Sequence, residues 1–98
     1  RVDLIKIDIA GGELNVLRGS FNTITKFNPV IVFKYELRAS DNCLATPLEM
    51  WHFFDEIKYS VYTLKNFIEG PLPLSLPEFT EIFNCKNEHY FVARFRSL

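Results

Sequence analysis

The stretch "VDLIKIDIAGGELNVLRG", residues 2–19, decides the fold. Its first half, Val2 to Ile9, is rich in β-branched and apolar residues and stops at Gly11-Gly12, as a mostly buried strand does. From Glu13 the period changes. Leu14, Leu17, Phe21 and Ile24 follow at spacings of three, four and three, which predicts one amphipathic helix. Glu13 falls in its first turn, where a carboxylate suits the positive end of the helix dipole. Asp8 sits at the end of the strand, and Gly11 and Gly12 let the backbone reverse sharply before the helix begins. In open α/β sheets, ligands bind at the carboxyl ends of strands, so this turn is a candidate ligand-facing element.

Working outward, Asn28-Pro29 ends the helix, because proline lacks an amide hydrogen and biases the residue before it toward extended geometry. A second strand, VIVFKYE, runs from Val30 to Glu36, and the polar segment Leu37 to Ala45 is a loop. Thr46-Pro47-Leu48-Glu49 then spells a capping box with proline at the first helical position. The helix it opens runs to about Lys58 and places Met50, Phe53, Phe54 and Ile57 on one stripe. Ser60 to Leu64, SVYTL, reads as a third strand. Gly70 to Pro77 carries three prolines among leucines and reads as a loop, with a short helical turn begun by Pro77. Glu88 to Phe95, EHYFVARF, alternates and reads as a last strand, paired antiparallel as a hairpin. Strands alternating with helices predict an α/β fold: mostly parallel strands joined by right-handed crossovers, flanking helices and a C-terminal antiparallel strand.

Composition narrows the function. The chain has 98 residues, enough for one small domain, and 48% of them are hydrophobic, with ten Phe, so it has a core to bury. Eleven Lys and Arg against twelve Asp and Glu give a net charge of -1 with no basic run, so the footprint of a nucleic-acid or anionic-membrane partner is missing. The longest apolar stretches, such as Pro29 to Phe33, fall far short of the ~20 residues of a bilayer span. Two cysteines, Cys43 and Cys85, make no disulfide scaffold, and the expected location is cytoplasmic. The chain opens at Arg1 and enters a strand within two residues, which points to a natural N-terminal part that precedes it.

The run "VDLIKIDIAGGELNVLRGS", then "NPVIVF", then "FFDEIKYSVYTL", resembles the FkbM-type family of S-adenosylmethionine-dependent methyltransferases. That family's pattern is a strand V-D-x-x-K-I-D-V-E-G-x-E, a helix with V-L-x-G, a Pro-led strand ending in Glu, and a helix leading to G-Y-x-V-Y. Lys6, Asp8, Gly11, Glu13, Val16, Leu17, Gly19, Pro29 and Tyr59 stand at matching positions, in order and with the right spacing. The resemblance implies a partial Rossmann-like methyltransferase sheet, of which residues 1–98 supply the C-terminal half, the fourth to seventh strands. It also implies S-adenosylmethionine as cofactor in the complete domain, and a small-molecule acceptor such as a sugar hydroxyl. The glycine-rich turn and the ribose-binding acid of such enzymes belong to the half that is absent, and no G-x-G occurs in this sequence. Cofactor binding is therefore not expected of this chain alone, and an exposed edge at Val2 to Ile9 is expected to favour self-association.

Two positions depart from the pattern. The family's Glu in V-E-G is Ala10 here, and the Glu expected five residues after Pro29 is Lys34, with Glu36 two positions further on. A two-residue offset keeps the same face of a strand but moves the side chain by roughly 6.6 Å. The candidate catalytic residues are accordingly Asp8, Glu13 and Glu36, acids able to orient or deprotonate a hydroxyl. The departures also open a second reading, a degenerate or truncated module that binds or scaffolds without catalysis. Cys85 with His89, and the loose set Asp41, Cys43, Glu49 and His52, lack paired metal-ligand spacing, and no metal is expected of them. Trp51, Phe53 and Phe54 read as core or subunit interface. Ser20, Ser40 and Ser75 lack a G-x-S-x-G elbow.

Overall fold

The computed structural model describes residues 2–8, 12–35, 46–70, 72–85 and 90–96. The first apolar run forms β1 (Leu4–Ile7), followed by α1 (Glu13–Gly19), α2 (Phe21–Phe27) and β2 (Val30–Lys34). Then come α3 (Pro47–Glu56), β3 (Tyr59–Thr63), α4 (Leu64–Glu69), α5 (Leu76–Cys85) and β4 (Tyr90–Phe95).

The four strands form one sheet in the order β1-β2-β4-β3. β1 and β2 pair in parallel, Leu4 opposite Val30 through Ile7 opposite Phe33, as a βαβ unit does. β4 pairs antiparallel with β2 on one side and with β3 on the other. The expectation of a mostly parallel sheet is therefore corrected: of the three pairings, only the first is parallel. β1, β2 and β3 do point the same way, but β4 inserts between β2 and β3 and runs against both. Phe91, Val92 and Ala93 are buried in succession, so both faces of β4 are covered, but the border strand β3 is buried at all five positions as well, so burial alone does not set the order. Nor is the antiparallel partner of β3 a hairpin neighbour, since α4 and α5 lie between them.

The expected single helix over residues 13–27 is broken in two. At Ser20 (φ -100°, ψ 9°) the backbone leaves helical geometry, and its N–H is shared between the carbonyls of Val16 and Leu17 at 3.0 and 3.2 Å. The break falls at Gly19-Ser20, the kind of small-residue pair at which helices kink. Leu14, Leu17 and Ile24 keep their places in the core, but Phe21 turns outward and is 44% exposed. α2 stops at Asn28, left-handed at φ 49°. The capping box that opens α3 forms in full: Thr46 N donates to Glu49 Oε1 at 3.0 Å, and Glu49 N donates to Thr46 Oγ1 at 3.2 Å.

α4 was not expected, and the short helical turn expected at Pro77 is a full helix, α5. α4 follows β3 directly, with the Thr63 hydroxyl accepting from Asn66 N at 3.0 Å. α5 starts inside the supposed proline loop, where Ser75 N donates to Glu78 Oε1 at 2.9 Å and Glu78 N donates to Ser75 Oγ at 3.3 Å. Ser75-Leu76-Pro77-Glu78 is thus a second capping box, built like the one at Thr46.

The core lies between one face of the sheet and helices α3 and α5. Ile31, Phe33 and Tyr35 project to it at alternate positions of β2 and just beyond, and Met50, Phe54, Phe79 and Phe83 meet them from the helices. Ring contacts connect the layers, Phe33 to Phe54 at 5.2 Å and Phe79 to Phe91 at 5.0 Å. Trp51 packs against this core and donates from Nε1 to the Leu74 carbonyl at 3.1 Å, holding the segment before α5 beside β3. The opposite face meets α4 where Tyr62 and Phe67 pack edge to face at 5.5 Å. Among the described residues no helix is long and apolar enough to cross a membrane.

Candidate active site

The parallel pair β1 and β2 delivers two chain ends side by side. Beyond β1 comes Asp8, and beyond β2 comes Tyr35. α1 starts at Glu13 and α3 at Pro47, so the first turns of both helices reach toward this end of the sheet.

Glu13 is 4% exposed, a carboxylate withdrawn from water at the first residue of α1. Burial of a charge is costly unless other groups compensate it, and the helix N-terminus supplies part of that compensation. Tyr35 is 1% exposed, with its ring stacked on Phe83 at 4.4 Å and near-parallel to Phe79 at 5.7 Å. Burial pushes its phenol well above the ordinary tyrosine range, and the negative charges of Glu13 and Glu49 push it the same way. The phenol therefore stays protonated at any physiological pH and acts as a neutral hydrogen-bonding group, not a base. Glu49 lies on the exposed side of the cluster. Its carboxyl is held below the usual carboxylate range by the backbone and hydroxyl hydrogen bonds from Thr46, with Arg18 contributing more weakly.

The three sequence candidates part company here. Glu13 converges electrostatically with Tyr35 and Glu49. Asp8 is exposed on the turn and makes no hydrogen bond or ion pair with a described residue. Glu36, like Ala10 and Gly11, lies outside the described residues. Lys34, which replaces the expected family glutamate, is the last residue of β2 and is half-buried, on the face opposite the core-facing Phe33 and Tyr35. Tyr35 was missed as a site residue, and the signal for it was present: Ile31, Phe33 and Tyr35 share one face, which carries the last of them inward at the strand end. Of the candidate metal set, Asp41, Cys43 and His89 lie outside the described residues. Among the described residues no three His, Cys, Asp or Glu side chains gather as a metal site would require.

An α/β domain that brings a buried carboxylate and a buried phenol to the carboxyl ends of a parallel strand pair belongs to the class whose ligands meet the sheet at that end. Residues 1–70 match the model of the Methyltransferase FkbM domain, and the chain belongs to that family of methyltransferases. The matched segment spans β1 to α4 and includes Asp8, Glu13, Tyr35 and Glu49. No curated protein and no solved structure matches the chain.

Proposed function

We propose that the chain is the acceptor-side portion of a Rossmann-like S-adenosylmethionine-dependent methyltransferase that methylates a hydroxyl oxygen of a sugar or small metabolite in the cytoplasm. The observation that carries this reading is the burial of both Glu13 and Tyr35 toward the carboxyl ends of β1 and β2, within the family-matched segment.

The residues of this chain do not fit the cofactor itself. The sequence has no G-x-G, and the buried polar groups described at the strand end are a carboxylate and a phenol. The grip on S-adenosylmethionine belongs on this reading to the other half of the domain. What this chain offers is an acceptor-side wall. Glu13 accepts a hydrogen bond from the acceptor hydroxyl and takes its proton, a role suited to a carboxylate withdrawn from water. Tyr35 is a positioning group that remains protonated and holds its place through the Phe79 and Phe83 stack. Asp8 stands at the end of β1, and Glu36 lies outside the described residues.

Methyl transfer by the full-length protein, with Glu13→Gln as the variant, tests the reading. The amide keeps the shape but cannot take a proton, so kcat should fall by about two orders of magnitude or more with the melting temperature little changed. Unaltered kcat would remove Glu13 from the chemistry. A second reading, a noncatalytic module, draws on Ala10 and Lys34, which replace two family carboxylates. Calorimetry separates the two: cofactor binding without turnover on any hydroxyl acceptor supports the module.

A further inference from the structure

A groove of about 520 Å³ lies at the far end of the sheet from Glu13, against the outer strand β3. Ser60, Tyr62, Pro73, Arg94, Phe95 and Arg96 line it, and none of them is acidic. Its volume lies within the roughly 300–1,000 Å³ of small-molecule sites.

The two arginines are in different states. Arg96 is satisfied: Nη1 donates to the Tyr59 carbonyl at 2.9 Å, Nη2 to the Asp55 carbonyl at 3.3 Å, and Asp55 Oδ1 lies 3.2 Å away as an ion pair. Arg94 has no carboxylate partner among the described residues. Its guanidinium instead lies 5.5 Å from the centre of the Tyr62 ring and 5.4 Å from that of Phe67, and Nη2 donates to Tyr62 Oη at 3.5 Å. Two aromatic rings thus hold a full positive charge in one place without neutralising it. A guanidinium seated this way has already lost much of its rotamer freedom, and the N–H groups not turned to Tyr62 remain available. Ser60 is directly opposite Arg94 in the β3–β4 register, so its hydroxyl is on the same face as the guanidinium. Pro73 and the Tyr62 ring supply apolar surface beside the guanidinium.

We propose that this groove binds a tetrahedral oxyanion, the phosphate or sulfate group of a small molecule, with Arg94 as its principal anchor and Ser60 as a second donor. The site is distinct from the methyl-transfer end and does not depend on that function.

Inorganic phosphate titrated into the full-length protein at constant ionic strength, followed by calorimetry and by amide chemical shifts, is the test. Saturable binding is expected, with shifts centred on Ser60 and Arg94, competition by sulfate, and no response to acetate or chloride. Arg94→Gln should weaken phosphate binding by about tenfold or more, the loss of one charge-assisted anchor, and Arg94→Lys by less. Ser60→Ala provides a variant that leaves the aromatic cradle intact and should weaken binding by about threefold or more, the loss of one hydroxyl hydrogen bond to the oxyanion. Failure to saturate, an equal response to acetate, or unchanged affinity in both Arg94→Gln and Ser60→Ala overturns the proposal.

Discussion

Replacing Tyr59 by Phe removes one oxygen from the most consequential buried hydrogen bond between distant elements. Tyr59 Oη donates to the Pro29 carbonyl at 2.7 Å, linking the first residue of β3 to the turn that opens β2 across 30 positions of sequence. Both residues are buried. Phe preserves the ring contacts with Phe54 at 6.2 Å and Phe95 at 5.9 Å, so little packing is lost. The cost is then the hydrogen bond plus the penalty for a buried carbonyl without a donor, together about 1–3 kcal/mol. At roughly 4–8 °C per kcal/mol for a domain of this size, the melting temperature should fall by about 5–20 °C. Thermal and urea unfolding by circular dichroism measure it, with the urea slope unchanged if only stability is affected. There is a pH signature as well. Burial pushes the Tyr59 phenol up to about 12 from 10.0. The native state therefore holds this proton more tightly than the unfolded chain, a contribution fully present below pH 10 and lost as pH rises toward 12. Tyr59→Phe should lack that part of the alkaline slope, which for one group reaches at most about 1.4 kcal/mol per pH unit. A loss under about 0.5 kcal/mol with an unchanged alkaline limb would show that water replaces the hydroxyl and would refute the argument.

Phe54→Ala, which empties a fully buried site stacked on Phe33, should cost about 3–5 kcal/mol, a large share of a domain's marginal stability, as urea denaturation would reveal. β1 is an edge of the sheet with Leu4 60% exposed, and we propose that this edge pairs with a second copy of the chain. Asp3 turns its carbonyl toward Val30 N at 3.0 Å, so the parallel ladder directs Lys6 outward, and Lys6→Pro should abolish self-association by removing an outward donor. Light scattering would decide it, and a monomeric parent chain would count against the proposal.

Much of this architecture is legible in the residues, and the parts that were not have physical reasons. Period and punctuation located β1, β2, β3, β4 and α3, because each carries a local signal: alternation, a β-branched run, or Thr46 with Glu49 three residues on. Strand order is not a local property. It follows from which surfaces cover which: the unbroken apolar triplet Phe91-Val92-Ala93 says that β4 is covered on both faces, but the border strand β3 is buried along its whole length too, so burial does not tell an inner strand from an outer one. The length of α5 was missed, since the prolines around it suggested only a short turn at Pro77, although Ser75 and Glu78 repeat the capping pattern and Phe79 and Phe83 lie one turn apart. At the site, the acids were visible as residue types, but only the fold separates the buried Glu13 from the exposed Asp8.

The same separation bears on what the family pattern records. Pro29 and Tyr59 are two of the positions that carry the resemblance, and the structure joins them by a hydrogen bond far from the strand ends where Glu13 and Tyr35 meet. Leu17, another, is fully buried in the core. These positions support the frame, and their presence here is evidence for the fold rather than for turnover. Glu13 is different, because a charged group at 4% exposure is costly to the fold and Gln or Leu would serve packing as well. On the proposed reading, Glu13 is the buried acid at a strand end where Ala10 and Lys34 replace two carboxylates of the family pattern.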